Sequence, residues 1–330
     1  MTPTIRLLIK TLLFAPLVLA PLAPCGAIAQ GFPSRPVRII VPYSAGGGAD
    51  TIARAVSARL SEALGQPVIF ENRAGANGII GSDMVVKSPP DGHTLVSTVG
   101  PSHHTIQFFS RNVPYDPVKD FPAITIVGTV PQTIVVGPGL QVSTLRELID
   151  HAKRNPGKLS FGTAGAGTSQ HLGGLLLNIA AGIDMLHVPY KGGAAALNDV
   201  LGGQVPVALL VLSNVIQHVK AGKLRALGVL EAKRARAAPD IPTVAEAGVA
   251  GYALPDTWAG ILGPAGMPAP IVNRLNAELV RALQSAEVRA RLEGLGFDVV
   301  GNSPQEFADL LSRSVDTYRR IVNQAGIKPE

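Results

Sequence analysis

Apolar and polar positions along this chain switch repeatedly between a strand period and a helix period. Val37, Ile39, Ile40 and Val41 form a β-like run that empties into Ser44-Ala45-Gly46-Gly47-Gly48-Ala49-Asp50. Beyond it, Ile52, Val56, Leu60 and Leu64 recur every four residues, the spacing of one buried helix face, and Gly65 stops the pattern. The cycle repeats at once. Residues 67–71 are strand-like, 72–78 form a second glycine-rich loop, 79–87 are helical, and Pro89-Pro90-Asp91-Gly92 turns into a strand at 93–99. Such alternation predicts the α/β class, with a mostly parallel sheet flanked by helices on both faces.

Two β-branched runs at 124–129 and 133–136 are separated by Val130-Pro131-Gln132, where a hinge crossing is expected. A second series begins there. Thr144 and Glu147 form a capping box for a helix ending near Pro156, and 159–163 is a strand. Ala164-Gly165-Ala166-Gly167-Thr168-Ser169 is a further glycine-rich loop before the helical pattern 170–181. Strands at 185–189, 205–212 and 224–230 alternate with helices at 194–201 and 213–221. The chain then returns to the first lobe through a strand at 257–262 and three helices. In the last helix, Ser303 and Glu306 make a capping box before Phe307, Leu310, Leu311, Val315, Tyr318 and Val322. A helix of this length is expected to cover the first core and brace the second.

Length supports two lobes, because about 300 residues exceed what one core usually serves. No low-complexity linker divides them. The expected organisation is residues 1–29 as a signal peptide, 30–130 with 251–330 as a discontinuous lobe 1, and 131–250 as lobe 2. The first segment carries Arg6 and Lys10, the apolar stretch 11–23, and Ala27-Ile28-Ala29 as a cleavage pattern. Prolines at 16, 21 and 24 interrupt it, against the ~20 apolar residues a permanent span needs. Cys25, the only cysteine, lies inside it, and Pro24 argues against lipidation. Cleavage after Ala29 leaves a chain without disulfide, thiolate metal site or cysteine nucleophile, which suits an exported periplasmic protein.

Charge narrows the partners. Without Arg6 and Lys10, 27 of the 29 basic residues remain against 23 acidic ones, a net charge of +4. The one dense run, Lys233-Arg234-Ala235-Arg236, reads as a solvated loop, and no basic stripe with interleaved aromatics points to nucleic acid.

Candidate chemistry gathers at three glycine-rich junctions after predicted strands: Ser44 to Asp50, Ala164 to Ser169 and Tyr190 to Gly193. Each alone reads equally as a tight structural turn. Together, at the carboxyl ends of strands from two lobes, they predict a cleft lined with N–H donors and hydroxyls, suited to a carboxylate or phosphate. Asp50 is expected to cap a helix beginning at Thr51, with contact to a ligand amine as the alternative. Thr168 and Ser169 are each a helix cap or a ligand donor. Lys191 is a counter-charge or a solvated loop lysine. Tyr43 and Tyr190 can pack on an apolar stem while their hydroxyls donate to a carboxylate. Trp258 is expected in the core or hinge, and Asp256 beside it is a candidate for a ligand amine. His103 and His104, read as adjacent on an extended segment, point apart and do not suggest a metal site. A serine hydrolase using Ser44 or Ser169 lacks a G-x-S-x-G elbow, and no complete Rossmann or P-loop pattern is present.

Residues 32–43 (F-P-S-R-P-V-R-I-I-V-P-Y), Gly46-Gly47-Gly48-Ala49-Asp50, E-N-R-A-G-A-N-G at 71–78, P-D-G-H-T-L at 90–95 and H-V-P-Y-K-G at 187–192 together resemble the Bug receptors. These are the periplasmic substrate-binding proteins of tripartite tricarboxylate transporters, and the likeness runs in order along the whole chain after residue 29. The resemblance implies a two-lobed type II periplasmic-binding fold that closes, without catalysis or cofactor, on a small carboxylate of dicarboxylate, tricarboxylate, aromatic or amino-acid type. By motif it assigns the grip to Tyr43, Ser44, Ala45, Gly46, Gly47 and Asp50 and to Tyr190, Lys191 and Gly192, with Asn77, Thr163, Ala164, Thr168 and Ser169 as further lining. Ser102, in the variable stretch 101–104, and Asp256 complete the expected set. The expected partners of this monomer are transporter subunits in the membrane or, alternatively, a sensor domain.

Overall fold

The computed structural model describes residues 31–43, 45, 48–252 and 254–329. The expectations for the signal peptide, Cys25, Ser44, Gly46 and Gly47 lie outside these residues.

Eleven strands and ten helices are described. The chain opens with β1 (Val37–Val41), α1 (Gly48–Leu64), β2 (Val68–Asn72), a 3-10 turn (Ala76–Gly78), α2 (Ile79–Val86), β3 (Thr94–Val99), α3 (Ser102–Phe109) and β4 (Ala123–Thr129). It continues through β5 (Gln132–Val136), α4 (Leu145–Arg154), β6 (Ser160–Thr163), α5 (Ser169–Ala181), β7 (Leu186–Pro189), α6 (Gly193–Leu201), β8 (Val207–Val211), α7 (Leu212–Lys220) and β9 (Arg225–Val229). It ends with β10 (Trp258–Leu262), α8 (Ala269–Gln284), α9 (Ala286–Gly294), β11 (Asp298–Val299) and α10 (Pro304–Gln324).

The strands form two sheets, ordered β11-β4-β10-β3-β1-β2 and β7-β6-β8-β5-β9, the expected two-lobed α/β architecture, although each sheet is mixed rather than mostly parallel. In the first sheet β1 pairs in parallel with β2 and β3, while β10 runs antiparallel between β3 and β4. In the second, β6 pairs in parallel with β7 and β8, while β5 runs antiparallel between β8 and β9. The reversed strands β5 and β10 each follow a crossing between sheets, so reversal marks where the chain changes lobe. Strand β11, only two residues long, was too short for a periodic signal.

The crossings lie side by side. Val130 N–H donates to Thr257 O at 2.7 Å and Leu230 N–H to Gln132 O at 2.9 Å. Between them sits the buried carboxyl of Glu231, whose oxygens accept from Gln132 N–H at 3.0 and 3.2 Å and face the Thr257 hydroxyl at 3.5 Å. Desolvation, aided by Asp256, pushes this carboxyl up to about 8.

Helix α10 ties the cores together. Ser303 and Glu306 make the expected capping box. Phe307 and Leu311 enter the core that holds Ile40, Val96 and Trp258, whereas Tyr318, Ile321 and Val322 enter the core around Phe161 and Leu172. With each fully buried large side chain contributing roughly 1.5–3 kcal/mol, α10 stabilises both cores at once.

Three local readings are corrected. Helix α1 begins at Gly48 rather than Thr51, so Asp50 lies inside its first turn and is not the N-cap. His103 and His104 lie in α3, not on an extended segment, and both are buried. His103 Nε2 meets Pro117 O at 2.9 Å, and the His104 ring stacks on Trp258 at a 17° interplanar angle. Burial pushes the two imidazoles down to about 4 and about 3, which keeps them neutral. In the α4 capping box Thr144 accepts from Glu147 N–H as expected, but Glu147 returns its bond to Ser143 N–H.

Candidate functional site

Five chain segments that follow strands of the two sheets converge on a cleft of about 1030 Å³. From the first sheet come Pro42 and Tyr43 after β1, Ala74 to Gly78 after β2, and Ser102, Thr105, Ile106 and Phe109 after β3. From the second come Ala164 to Thr168 and His171 after β6, and Tyr190 to Gly192 after β7. Leu175, Pro189, Ile327 and Lys328 are the other described residues of the wall. This is the position where open α/β sheets take ligands.

The loop after β2 has the least ordinary backbone in the cleft. Gly75, Ala76, Asn77 and Gly78 take successive positive φ values of 142, 46, 53 and 97°. Left-handed geometry at two non-glycine residues costs roughly 1 kcal/mol or more each. In return it turns the peptide groups outward: the N–H groups of Ala76 and Asn77 have no partner among the described residues. The Ala166 N–H, in the opposing loop, is likewise without one. Gly192 offers no side-chain cap to α6, which leaves that helix's first-turn amides available. Such unpaired amides form concave donors for an anion.

Side-chain charge agrees. Among the described residues, Lys191 and Lys328 are the charged side chains lining the cleft, and no Asp or Glu lines it. Neither lysine makes an ion pair among the described residues.

Beneath the second-sheet loop lies a polar scaffold. Thr163 Oγ1 lies 2.7 Å from His187 Nε2 and 3.2 Å from both the N and the O of Gly165. The rings of His187 and His171 stack with centroids 3.9 Å apart. His171 Nδ1 accepts from Gly167 N–H at 3.1 Å, which assigns the ring proton to Nε2. Burial pushes His171 down to about 3 and His187 to about 4, so the pair is neutral near pH 7. Thr163 is therefore fully buried below the lining and positions the loop.

Each remaining sequence candidate has a definite place. Thr168 lines the cleft and caps α5, accepting from His171 N–H at 3.3 Å, while Ser169 is the buried first residue of α5 and not part of the lining. Asn77, Ser102, Ala164, Lys191 and Gly192 line the cleft. The rings of Tyr43 and Tyr190 do too, but their hydroxyls are engaged within the protein: Tyr43 with Thr98 Oγ1 at 3.2 Å, Tyr190 donating to Asp199 Oδ2 at 2.7 Å. Burial, aided at Tyr190 by Asp199, raises both phenols to about 12. Ala45 is exposed and outside the lining. Asp50 is buried, accepting from Arg54 Nε at 2.8 Å and Asn72 Nδ2 at 3.1 Å, and Asn72 also donates to Tyr43 O. It braces α1 against the ends of β1 and β2. Asp256 is exposed outside the lining, its carboxyl raised by desolvation against the opposing pull of Lys233.

Sequence reasoning did not place Thr105, Ile106, Phe109, His171 or Lys328 in the lining. The first three, with Ser102, fall at helical spacing, a signal hidden once residues 101–104 are read as extended. Thr105 Oγ1 lies 3.1 Å from Gly167 O, and a Cβ added at Gly167 would stand 3.2 Å from Phe109 Cδ2. Gly167 also takes φ +77°. Gly167→Ala is therefore expected to cost about 1–2 kcal/mol in a chemical denaturation series and to weaken ligand binding by displacing α3 from the loop.

Among the described residues no helix is long and apolar enough to cross a membrane, and no cluster of three or more His, Cys, Asp or Glu is placed to hold a metal.

Fold and cleft together define a two-lobed solute-binding protein. The model of the tripartite tricarboxylate transporter family receptor matches residues 52–327, and the chain belongs to that family, whose members are periplasmic solute-binding receptors and not enzymes. A UPF0065 protein from the tcbD-tcbE intergenic region of Pseudomonas sp. (strain P51) is 40% identical over 295 residues, covering 89% of this chain and 87% of that one. Among solved structures, Rpa4515 of R. palustris with adipate superposes with a TM-score of 0.81 at 33% identity, covering 91% of this chain and all (100%) of the other. MatC (Rpa3494) of Rhodopseudomonas palustris with bound malate gives 0.77 at 32% identity, covering 88% and 100%.

Proposed function

We propose that this protein is an extracytoplasmic receptor that closes its cleft on a small carboxylate and delivers it to the membrane subunits of a tripartite tricarboxylate transporter. The observation that carries the reading is the cleft's polarity: unpaired amides in loops of both lobes and two lysines, with no acidic side chain in the lining among the described residues. The relatives named with adipate and malate support the same ligand class. In this reading the carboxylate bridges Asn77 and its neighbours to Ala164, Thr168 and Lys191, with the rings of Tyr43 and Tyr190 against its stem. Residues 30–130 with 251–330 and residues 131–250 then move as two bodies about the crossings at Val130 and Thr257. Ligand that binds only the closed form shifts that equilibrium toward it. The chain acts as a monomer, exported with residues 1–29 removed.

The test is a thermal melt against a panel of mono-, di- and tricarboxylates, aliphatic and aromatic. A ligand present at 100 times its Kd is expected to stabilise the fold by about 2.7 kcal/mol. Unchanged melting with every member of the panel would overturn the reading.

A further inference from the structure

We propose that the segment after α10 is a wall of the ligand site, and that Lys328 is a specificity-determining residue that meets an anionic group at the far end of the ligand. This rests on the carboxylate-receptor reading above. Gly326, at φ 66°, reverses the chain where α10 ends, and Ile327 N–H donates back to Val322 O at 3.1 Å. Ile327 packs on the second sheet's core, while Pro329 O accepts from Arg111 Nε at 2.8 Å. Arg111 lies just beyond α3, so the segment is fastened to elements of both lobes and runs along the cleft between its anchors.

That course brings Ile327 and Lys328 into the lining. Lys328 is exposed and makes no ion pair among the described residues. Lys191 reaches the cleft from a different element, the loop after β7. The same wall carries Ile106, Phe109 and Leu175, apolar surface for a stem. A monoanionic ligand satisfies the loop amides and Lys191 and leaves Lys328 unmatched. A ligand with a second anionic end uses both lysines, and because solvent screens the exposed Lys328 the gain is a modest preference for the diacid.

The experiment is isothermal titration of matched pairs, adipate with hexanoate and terephthalate with benzoate, against the wild-type protein, Lys328→Gln, Lys328→Arg and the charge control Lys223→Gln. Lys223 lies beside a separate cavity lined by Val136, Leu224 and Arg225. Expected is a wild-type preference for the diacid that falls five- to twentyfold in K328Q, returns in K328R and persists in K223Q. A preference unchanged in K328Q, or lowered equally in K223Q, overturns the role of Lys328 and leaves the carboxylate reading standing. Absence of binding by wild type to every acid overturns both. Because Lys328 is exposed, unliganded melting temperatures verify that all variants fold.

Discussion

At pH 8, Glu231→Gln is expected to melt above the wild-type protein, and at pH 5 the two are expected to melt nearly together. The carboxyl rests near 8 in the folded protein against an ordinary value of 4.5, so the folded state holds a proton that the unfolded chain releases. The stability this contributes is complete below about pH 4.5 and is lost as pH rises toward 8. The isosteric amide carries no such titration. A tenfold difference in proton affinity between the folded and unfolded states is worth ~1.4 kcal/mol, so the two proteins differ at pH 8 by on the order of 3 kcal/mol after allowing for relaxation of the buried site. For a chain of this size that is roughly 6 °C. Melting profiles of both proteins from pH 4.5 to 8.5 measure it directly, and parallel profiles would reject the assignment. The groups facing Glu231 are Gln132 and Thr257, with Asp256, Tyr252 and Tyr318 as electrostatic neighbours, so the effect reports on the junction between the lobes.

Gly174→Ala carries the second large effect. A Cβ at this position of α5 would stand 2.3 Å from Cε2 and 2.5 Å from Cζ of Phe161, a ring fully buried on β6. Neither partner has room to give, so α5 must lift from the sheet. Overpacking of this severity costs about 3 kcal/mol, and the better helix propensity of alanine returns about 1. Function is expected to suffer beyond stability, because α5 carries His171 and follows the loop 164–168 at the cleft. Shrinking the obstacle in Gly174→Ala/Phe161→Leu is expected to recover part of both losses. A denaturant series on the two single variants and the double gives the coupling energy.

The elements were legible where period and punctuation coincided. Ile52, Val56, Leu60 and Leu64 marked α1, and Ser303 with Glu306 marked the start of α10, because both signals are local. What sequence could not carry was partner choice across space. The hydroxyls of Tyr43 and Tyr190 look available in a loop motif, yet Thr98 and Asp199 occupy them. Asp50 reads as a cap because it stands beside glycines, but nearly one extra turn of helix, begun at Gly48, places it against Arg54 and Asn72. The loop motifs named Asn77, Ala164 and Tyr190 as lining, whereas Lys328 reaches the cleft from the opposite end of the sequence, where no motif announced it.

The place of β10 in the first sheet bears on the order in which the molecule is assembled. All strands of the second sheet have emerged by Val229. Among the described residues, strand β4 by contrast has β10 and β11 as its only neighbours within the sheet, and β10 alone joins it to β3. Until residues 258–262 emerge, the first sheet exists as β1, β2 and β3 with β4 detached. A chain delivered from its amino end therefore completes the second sheet first, and the cleft, which also needs Ile327 and Lys328, is finished last.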